Sequence, residues 1–496
     1  MKSTSSINNK EYPIPSILDD KKNIDSFIQS NKDKKIVVVQ GLGFVGAVMS
    51  IVCANSMVQE YAVIGVDLPN KDTYWKIASI NDGIFPVISS DNKVDEFFKN
   101  TISKNNFIAT YDPYAYSLAD IIIVDINLDV KKHSSSLNDL EDFEVDLGPF
   151  KKGIEVISKN CKEDSLILIE TTVPPGTTEK IVKPIIKDGL GRRDLAKEKI
   201  KIGHSYERVM PGPNYIDSII NFYRVYSGIN EESSNAVELF LKTIVTTDDY
   251  PLTRLSNTNA TEMAKVLENS FRAMNIAFIV EWSRFAEEAN VNLYDVVNAI
   301  RMRPTHKNIM FPGIGVGGYC LTKDPLLASW SRKNLFNSEK LASSEHAVKV
   351  NDKMPYDCFT FIKSQYKETL EDKTFLLFGV SYAPDIGDTR YTPVEWLYRF
   401  ILEEKPKILL HDPFLSYWDE MNISISSDIN EYLSNQIDCV IFSTGHTEYR
   451  NNSMLIKKLQ SLDNLFIIDT IGVLNDREIL SLNEKHIVKV LGRGDI

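Results

Sequence analysis

Cys320 stands in "GVGGYCLTKDP" (Gly315–Pro325), after three glycines in four positions and just ahead of Lys323 and Asp324. A thiol in that setting has two readings. It is a structural cysteine, or it is a nucleophile made accessible by the loop and favoured as thiolate by nearby lysine. Gly315, Gly317 and Gly318 fit neither a helix nor a core strand, and they suggest backbone curled round a ligand. A second set of polar groups lies upstream. Lys265, Asn269 and Arg272 fall at i, i+4 and i+7 of an otherwise apolar stretch, Asn259–Asn290, that reads as one long helix. They share a face, and an apolar helix is buried in the interior or in an interface. The row either snorkels at the helix edge or points into a cleft, where it would bind an anion or oxyanion.

A third set reads as a dinucleotide site. The run Ile36–Val39 leads into Gly41, Gly43 and Gly46, then a helix, then "YAVIGVD" ending at Asp67. Gly41 permits the turn, Gly43 lets a pyrophosphate approach, and Gly46 packs the helix on the strand. The N–H groups from Phe44 and Val45 onward then face the phosphates. Asp67 is placed to accept the ribose hydroxyls and to repel a 2′-phosphate, which favours NAD over NADP. Thr171, Thr172 and Gly176 follow a later strand. Glu207 and Arg208 in "HSYERVMPGPNY" follow another. Strand-end capping would explain the threonines equally well, and a surface salt bridge the Glu–Arg pair.

The supporting frame is α/β. Strand-like runs at Asp120–Ile126 and from Ser165 extend the first sheet. Lys373–Pro413, "DCVIFSTGH" and "NLFIIDTIGVL" repeat the pattern without G-x-G-x-x-G. The expected architecture is two Rossmann-like, doubly wound parallel sheets joined by the long helix, with a cleft near Cys320. The expected divisions are a polar extension 1–34, an NAD-binding domain 35–248, a central helical domain 249–350 carrying the cysteine loop, and a C-terminal domain 351–496. The extension is expected to be partly disordered and is set outside the fold.

Bulk properties narrow the class. With 496 residues the chain exceeds one core, and its formal charge of −12 argues against nucleic acid as partner. No apolar run approaches a membrane span. The 5 cysteines are odd in number and scattered, which argues against a disulfide framework and points to the cytoplasm. Paired Cys or His spacings for a metal are missing, so no metal is expected.

Six stretches in order, "GLGFVG", "ETTVPPGTTEK", "ERVMPG", "EMAKVLENSFRAMNIA", "PGIGVGGYCLTKDP" and "GVSYAPDIGDTR", resemble the UDP-glucose/GDP-mannose dehydrogenase family. "ERVMPG" and the cysteine loop are more similar to the branch acting on UDP-N-acetylhexosamines. The resemblance runs from about Lys35 to the C-terminus. It implies oxidation of the C6 hydroxyl of a nucleotide-linked hexose to a uronic acid, a precursor of surface polysaccharide, with two NAD and no metal. It implies that Cys320 is the nucleophile, that Lys265 and Asn269 stabilise the oxyanion, and that Asp324 serves general-base work. Thr172 would stand near the catalytic water, Glu207 would be the strand-end acid, and Arg390 would hold the nucleotide. Arg208, Arg272 and Gly317 would line the substrate side and Lys323 the cofactor side. A homodimer through the central helix is implied as well.

Departures from the family pattern are concrete. Ala383 replaces a lysine, Asp125-Ile126-Asn127 replaces a Thr-Pro strand end, and Pro211 replaces a second acid. Arg301 and Arg303 lie near the arginine that members send to a neighbouring subunit, in no clean register. Two other readings stay open: a catalytically inactive nucleotide-sugar-binding regulator or scaffold, and a one-hydride 2-hydroxy-acid dehydrogenase, which would not need Cys320.

Overall fold

The computed structural model describes residues 1–134, 140–206, 208–209, 212–366, 369–433 and 436–496. The chain forms two compact units. One comprises Met1–Asp129, Val145–Val266 and Trp330–Ser338; the other comprises Val130–Glu144, Leu267–Ser329 and Glu339–Ile496.

In chain order the strands are β1 (Lys2–Thr4), β2 (Glu11–Pro13), β3 (Lys35–Gln40), β4 (Tyr61–Val66), β5 (Phe107–Thr110), β6 (Ile121–Val124), β7 (Val130–Ser134), β8 (Leu140–Val145), β9 (Leu166–Ile169) and β10 (Lys201–His204). They continue with β11 (Val225–Gly228), β12 (Thr253–Arg254), β13 (Thr374–Phe378), β14 (Lys407–His411), β15 (Tyr417–Trp418), β16 (Ile423–Ser424), β17 (Cys439–Phe442), β18 (Phe466–Asp469) and β19 (Ile487–Val490).

The first unit is built on an eight-stranded sheet of order β12-β11-β10-β9-β6-β3-β4-β5. The strands from β10 to β5 pair in parallel, and β11 turns antiparallel to β10. β6 and β9 are buried along their whole length, as strands covered on both faces must be. The expected doubly wound sheet is present, with an antiparallel edge in addition.

The second unit carries a five-stranded parallel sheet of order β14-β13-β17-β18-β19. Period-two alternation divides its side chains between two cores. Phe375, Leu377, Cys439, Ile441, Phe466 and Ile468 pack on one face. Leu376, Phe378, Val440, Phe442 and Ile467 pack on the other.

The N-terminal extension differs from expectation. It is ordered, as a β1–β2 hairpin and a helix, Lys21–Ser30, on the first unit. Polarity hid three apolar anchors, Tyr12, Ile24 and Phe27, which are buried. Buried Ser3 donates from Oγ to the Lys71 carbonyl at 2.7 Å and accepts the Trp75 N–H at 3.0 Å. Thr110 donates to Asp20 at 2.6 Å.

The long helix runs from Thr258 to Glu288. One side is buried, through Val266, Ala273, Ile276, Ala277, Ile279 and Val280. Another is an exposed apolar stripe at helical spacing: Met263, Leu267, Phe271, Met274, Phe278, Trp282 and Phe285. Among the described residues no helix is long and apolar enough to cross a membrane.

Candidate active site

In the first unit, the glycine loop between β3 and the helix Phe44–Ala54 explains itself residue by residue. Gly41 has φ +99°, and a Cβ there would lie 2.5 Å from the Asp125 carbonyl oxygen. A Cβ on Gly46 would lie 2.0 Å from the Gly41 carbonyl oxygen. Both are fixed by packing. A Cβ on Gly43 meets no protein atom within 4 Å, so the chain's own packing makes no demand for glycine there. That is the position where the dinucleotide reading needs room for a pyrophosphate. Phe44 and Val45 open the helix as expected.

Asp67 follows the last residue of β4. Its carboxylate accepts the Leu42 N–H at 3.0 Å and the Leu68 N–H at 2.8 Å. Burial raises its pKa, against the opposing charge of Lys76 and these two bonds. The acid therefore braces the glycine loop, and its remaining lone pairs can receive ribose hydroxyls. These residues fit NAD. Asp67→Ser is expected to weaken NAD binding about tenfold, on the order of one charge-assisted hydrogen bond, and to relax discrimination against NADP. Calorimetric titration with both coenzymes checks this, and unchanged affinity and selectivity would remove Asp67 from the site.

The central helix meets the strand ends of the same unit through its first turns. Thr261 Oγ1 is 2.9 Å from His204 Nδ1, at the end of β10, and 2.8 Å from Ser227 Oγ on β11. Lys265 is buried, with its ammonium 5.3 Å from the centre of the Tyr206 ring. Burial, and then the Lys265 charge, bring His204 down to about 3, so its ring is neutral. Arg208 stacks on Tyr206 and Phe222 and donates to the Tyr223 carbonyl at 2.8 Å. Thr171 donates to the carbonyls of Val124 and Ile126, each at 3.0 Å. That is the strand-end capping foreseen for one threonine. Its neighbour Thr172 is half-buried. Glu207 and Pro211 lie outside the described residues.

Sequence reading missed one residue here. Glu262, one turn before Lys265, is buried, and its carboxylate accepts the N–H of Gly176 at 2.6 Å and of Thr178 at 2.7 Å. Burial pushes its pKa up to about 7 against those bonds. A carboxylate at i, i+3 from lysine on a helix read as buried was the available signal.

In the second unit, the cysteine loop is held at several points. Asn275 donates to the Asn308 carbonyl at 2.7 Å and Asn351 to the Val316 carbonyl at 3.0 Å, while the Gly318 N–H reaches the Arg390 carbonyl at 3.2 Å. Protein packing alone accounts for glycine at two of these positions. A Cβ on Gly317 would lie 2.5 Å from the Tyr391 carbonyl oxygen, and one on Gly318 would lie 2.8 Å from the Tyr382 ring. The loop packs against Tyr382 and Tyr391, so contacts within the unit already require glycine at these two positions.

Cys320 ends this loop and is exposed, whereas the other four cysteines are buried. Its carbonyl accepts the Asp324 N–H at 2.9 Å, at the start of the helix Asp324–Asn334. Asp324 is fully buried, accepts from Asn269 Nδ2 at 2.6 Å, and has its other oxygen 3.6 Å from Lys323 Nζ. Lys323 also lies over the Tyr319 ring at 4.3 Å.

The helix row splits. Lys265 and Asn269 are buried, while Arg272 is exposed. Arg390 is paired with Asp388, Nε to Oδ1 at 2.9 Å. Ala383 lies half-buried in the same loop, beside Tyr382. Arg301 donates Nε to the Ile309 carbonyl at 2.9 Å and lies 4.0 Å over Phe311, so its guanidinium is engaged inside its own unit, while Arg303 is exposed.

Comparison with known proteins agrees with this construction. The NAD-binding domain of the UDP-glucose/GDP-mannose dehydrogenase family matches residues 34–244, its central domain 259–353, and its UDP-binding domain 376–476. The chain is 29% identical over 471 residues to a UDP-N-acetyl-D-mannosamine dehydrogenase of Methanococcus vannielii, covering 94% of this chain and 99% of that protein. Two solved structures share the fold. One is an NDP-N-acetyl-D-galactosaminuronic acid dehydrogenase of Methanosarcina mazei, with TM-score 0.75 and 25% identity over 95% of this chain and 98% of that one. The other is a UDP-D-ManNAc dehydrogenase of Pyrococcus horikoshii, with TM-score 0.76 and 25% identity over 93% and 100%. With all three domain types matched in order, the chain belongs to the UDP-glucose/GDP-mannose dehydrogenase family, whose members are NAD-dependent oxidoreductases of nucleotide sugars.

Proposed function

We propose that the chain oxidises C6 of a UDP-linked N-acetylhexosamine through the aldehyde to the uronic acid, with Cys320 as the covalent nucleophile. The observation that carries this is the exposed thiol at the head of a helix whose first residue, Asp324, is buried and bonded to Asn269. The N-acetyl preference is supported by the relatives named above. Residues 35–248 bind NAD, 249–350 carry the cysteine loop, and 351–496 bind the nucleotide sugar.

Gly41, Gly43, Gly46, the N–H groups of Phe44 and Val45, and Asp67 hold the cofactor, with Lys323 and Thr172 toward its reactive end. NAD, when bound, supplies the hydride acceptor for both oxidations. Cys320 adds through sulfur to the C6 aldehyde and forms a thiohemiacetal; loss of the C6 hydrogen as hydride leaves a thioester. Water then attacks C6, the C–S bond breaks, and the thiol departs as the carboxylic acid forms. Lys265 and Asn269 stabilise negative charge on the C6 oxygen. Asp324 takes the proton of the attacking water, which Thr172 orients. Glu207, Arg208, Arg272, Gly317 and Arg390 bind the nucleotide sugar.

The active form is a homodimer in the cytoplasm. The exposed stripe from Met263 to Phe285 supports self-association, because a second copy would cover seven large apolar side chains.

The test is a panel of UDP-N-acetylhexosamines, UDP-glucose and GDP-mannose, with product mass and NADH recorded. Two NADH per acid from a UDP-N-acetylhexosamine is the expected result. One NADH per turnover, or binding without NADH, would overturn the reading in favour of a one-hydride enzyme or an inactive binder.

A further inference from the structure

Thr172 stands between two anchors. On one side, Thr171 is tied to the carbonyls of Val124 and Ile126. On the other, the N–H groups of Gly176 and Thr178 are tied to Glu262. The four residues between, Thr172 to Pro175, include two prolines, and Thr177 Oγ1 holds the Pro174 carbonyl at 2.6 Å. Gly176 has φ +97°, and a Cβ there would lie 3.0 Å from the Phe336 ring, so the loop has little room to relax. Ser331 also donates to the Pro175 carbonyl.

We propose that Glu262 is a positioning residue, whose carboxylate fixes the Thr172 loop relative to the helical turn that carries Lys265. Two geometrical facts support this. Glu262 and Lys265 are at i, i+3 and share a helix face. Glu262 accepts the N–H groups of Gly176 and Thr178 from one loop, at distances typical of a carboxylate taking charge-assisted bonds. The carboxylate is fully buried and is bonded to the loop backbone, so its effect passes through the loop. The pKa of about 7 means that ionising this group at neutral pH opposes folding rather than aiding it, so structural ballast is a poor description of the residue. The inference rests on the reading of Thr172 and Lys265 as groups of the reaction.

The test uses Glu262→Gln and Glu262→Asp in the full chain. Gln keeps the size but faces one N–H with another donor; Asp keeps the charge but is one methylene short. Both are expected to lower kcat about 30-fold, since displacing a catalytic group by about 1 Å can cost on the order of 100-fold. KM for NAD and for the UDP-sugar should stay within about twofold, and exchange of the Gly176 and Thr178 amides should quicken. In a Thr172→Ala background, Glu262→Gln should cost less than about threefold more, because both changes disturb one unit. Retention of kcat by both variants, or losses that multiply in the double variant, would overturn the inference while leaving the roles of Thr172 and Lys265 intact. An unchanged kcat in Thr172→Ala alone would instead overturn it by removing the reading on which it rests.

Discussion

Cys320→Ala is expected to form uronic acid at least about a thousandfold more slowly than the parent, the scale on which loss of a covalent nucleophile is felt. NAD and the nucleotide sugar should still bind, because the glycine loop and Asp67 lie on the first unit, and Arg390 meets the cysteine loop through its backbone at Gly318 rather than through the thiol. The first oxidation needs no thiol, so a short burst of close to one NADH per site should precede the stall. The thiol is exposed, and an exposed substitution shifts stability by no more than about 0.5 kcal/mol. A matching thermal transition would therefore separate lost chemistry from lost fold. Stopped-flow absorbance for NADH, with mass analysis of the product, reads both steps. Acid formed at a near-parent rate with two NADH would make Cys320 a structural residue.

What was legible depended on whether local pattern or distant packing set the residue. Strands β3, β4, β6, β9, β13 and β17 were readable because burial on both faces writes a continuous apolar run. The roles of Gly41 and Gly46 were readable because a backbone clash within a strand-turn-helix unit is local. The packing demand on Gly317 and Gly318 was not readable, because the groups that set it, Tyr382 and Tyr391, lie more than sixty residues on. The N-terminal segment was misread because polar composition outweighed three anchors, Tyr12, Ile24 and Phe27, that are buried in the folded chain. Thr171 and Thr172 looked equivalent, and only the carbonyls of Val124 and Ile126 distinguish them. Asn269 and Asp324 were both named, yet their bond joins positions 55 residues apart and leaves no mark on periodicity. Arg272 fitted the row by spacing and lies within about 20° of Lys265 round the helix, but it is about two turns further along the axis and comes out exposed.

Lys265→Met should lower kcat by about a hundredfold to a thousandfold, the range found when one donor to a developing oxyanion is removed. Methionine matches the stem of lysine and suits a site that is already buried, so the protein should fold normally. His204 offers an internal control. Burial, not Lys265, is the larger cause of its low pKa, so it stays neutral in the variant and gains no compensating charge. The loss should therefore be that of the ammonium alone. Because negative charge develops on the C6 oxygen in each oxidation, both the NADH burst and the later acid-forming phase should slow, in contrast to Cys320→Ala, which spares the first. Lys265→Arg should recover part of the rate, as it restores charge but sets a planar fork where a compact ammonium stood beside Tyr206. A Lys265→Met enzyme whose two phases keep within about threefold of the parent would place the oxyanion elsewhere and leave Lys265 a structural cation beside Tyr206.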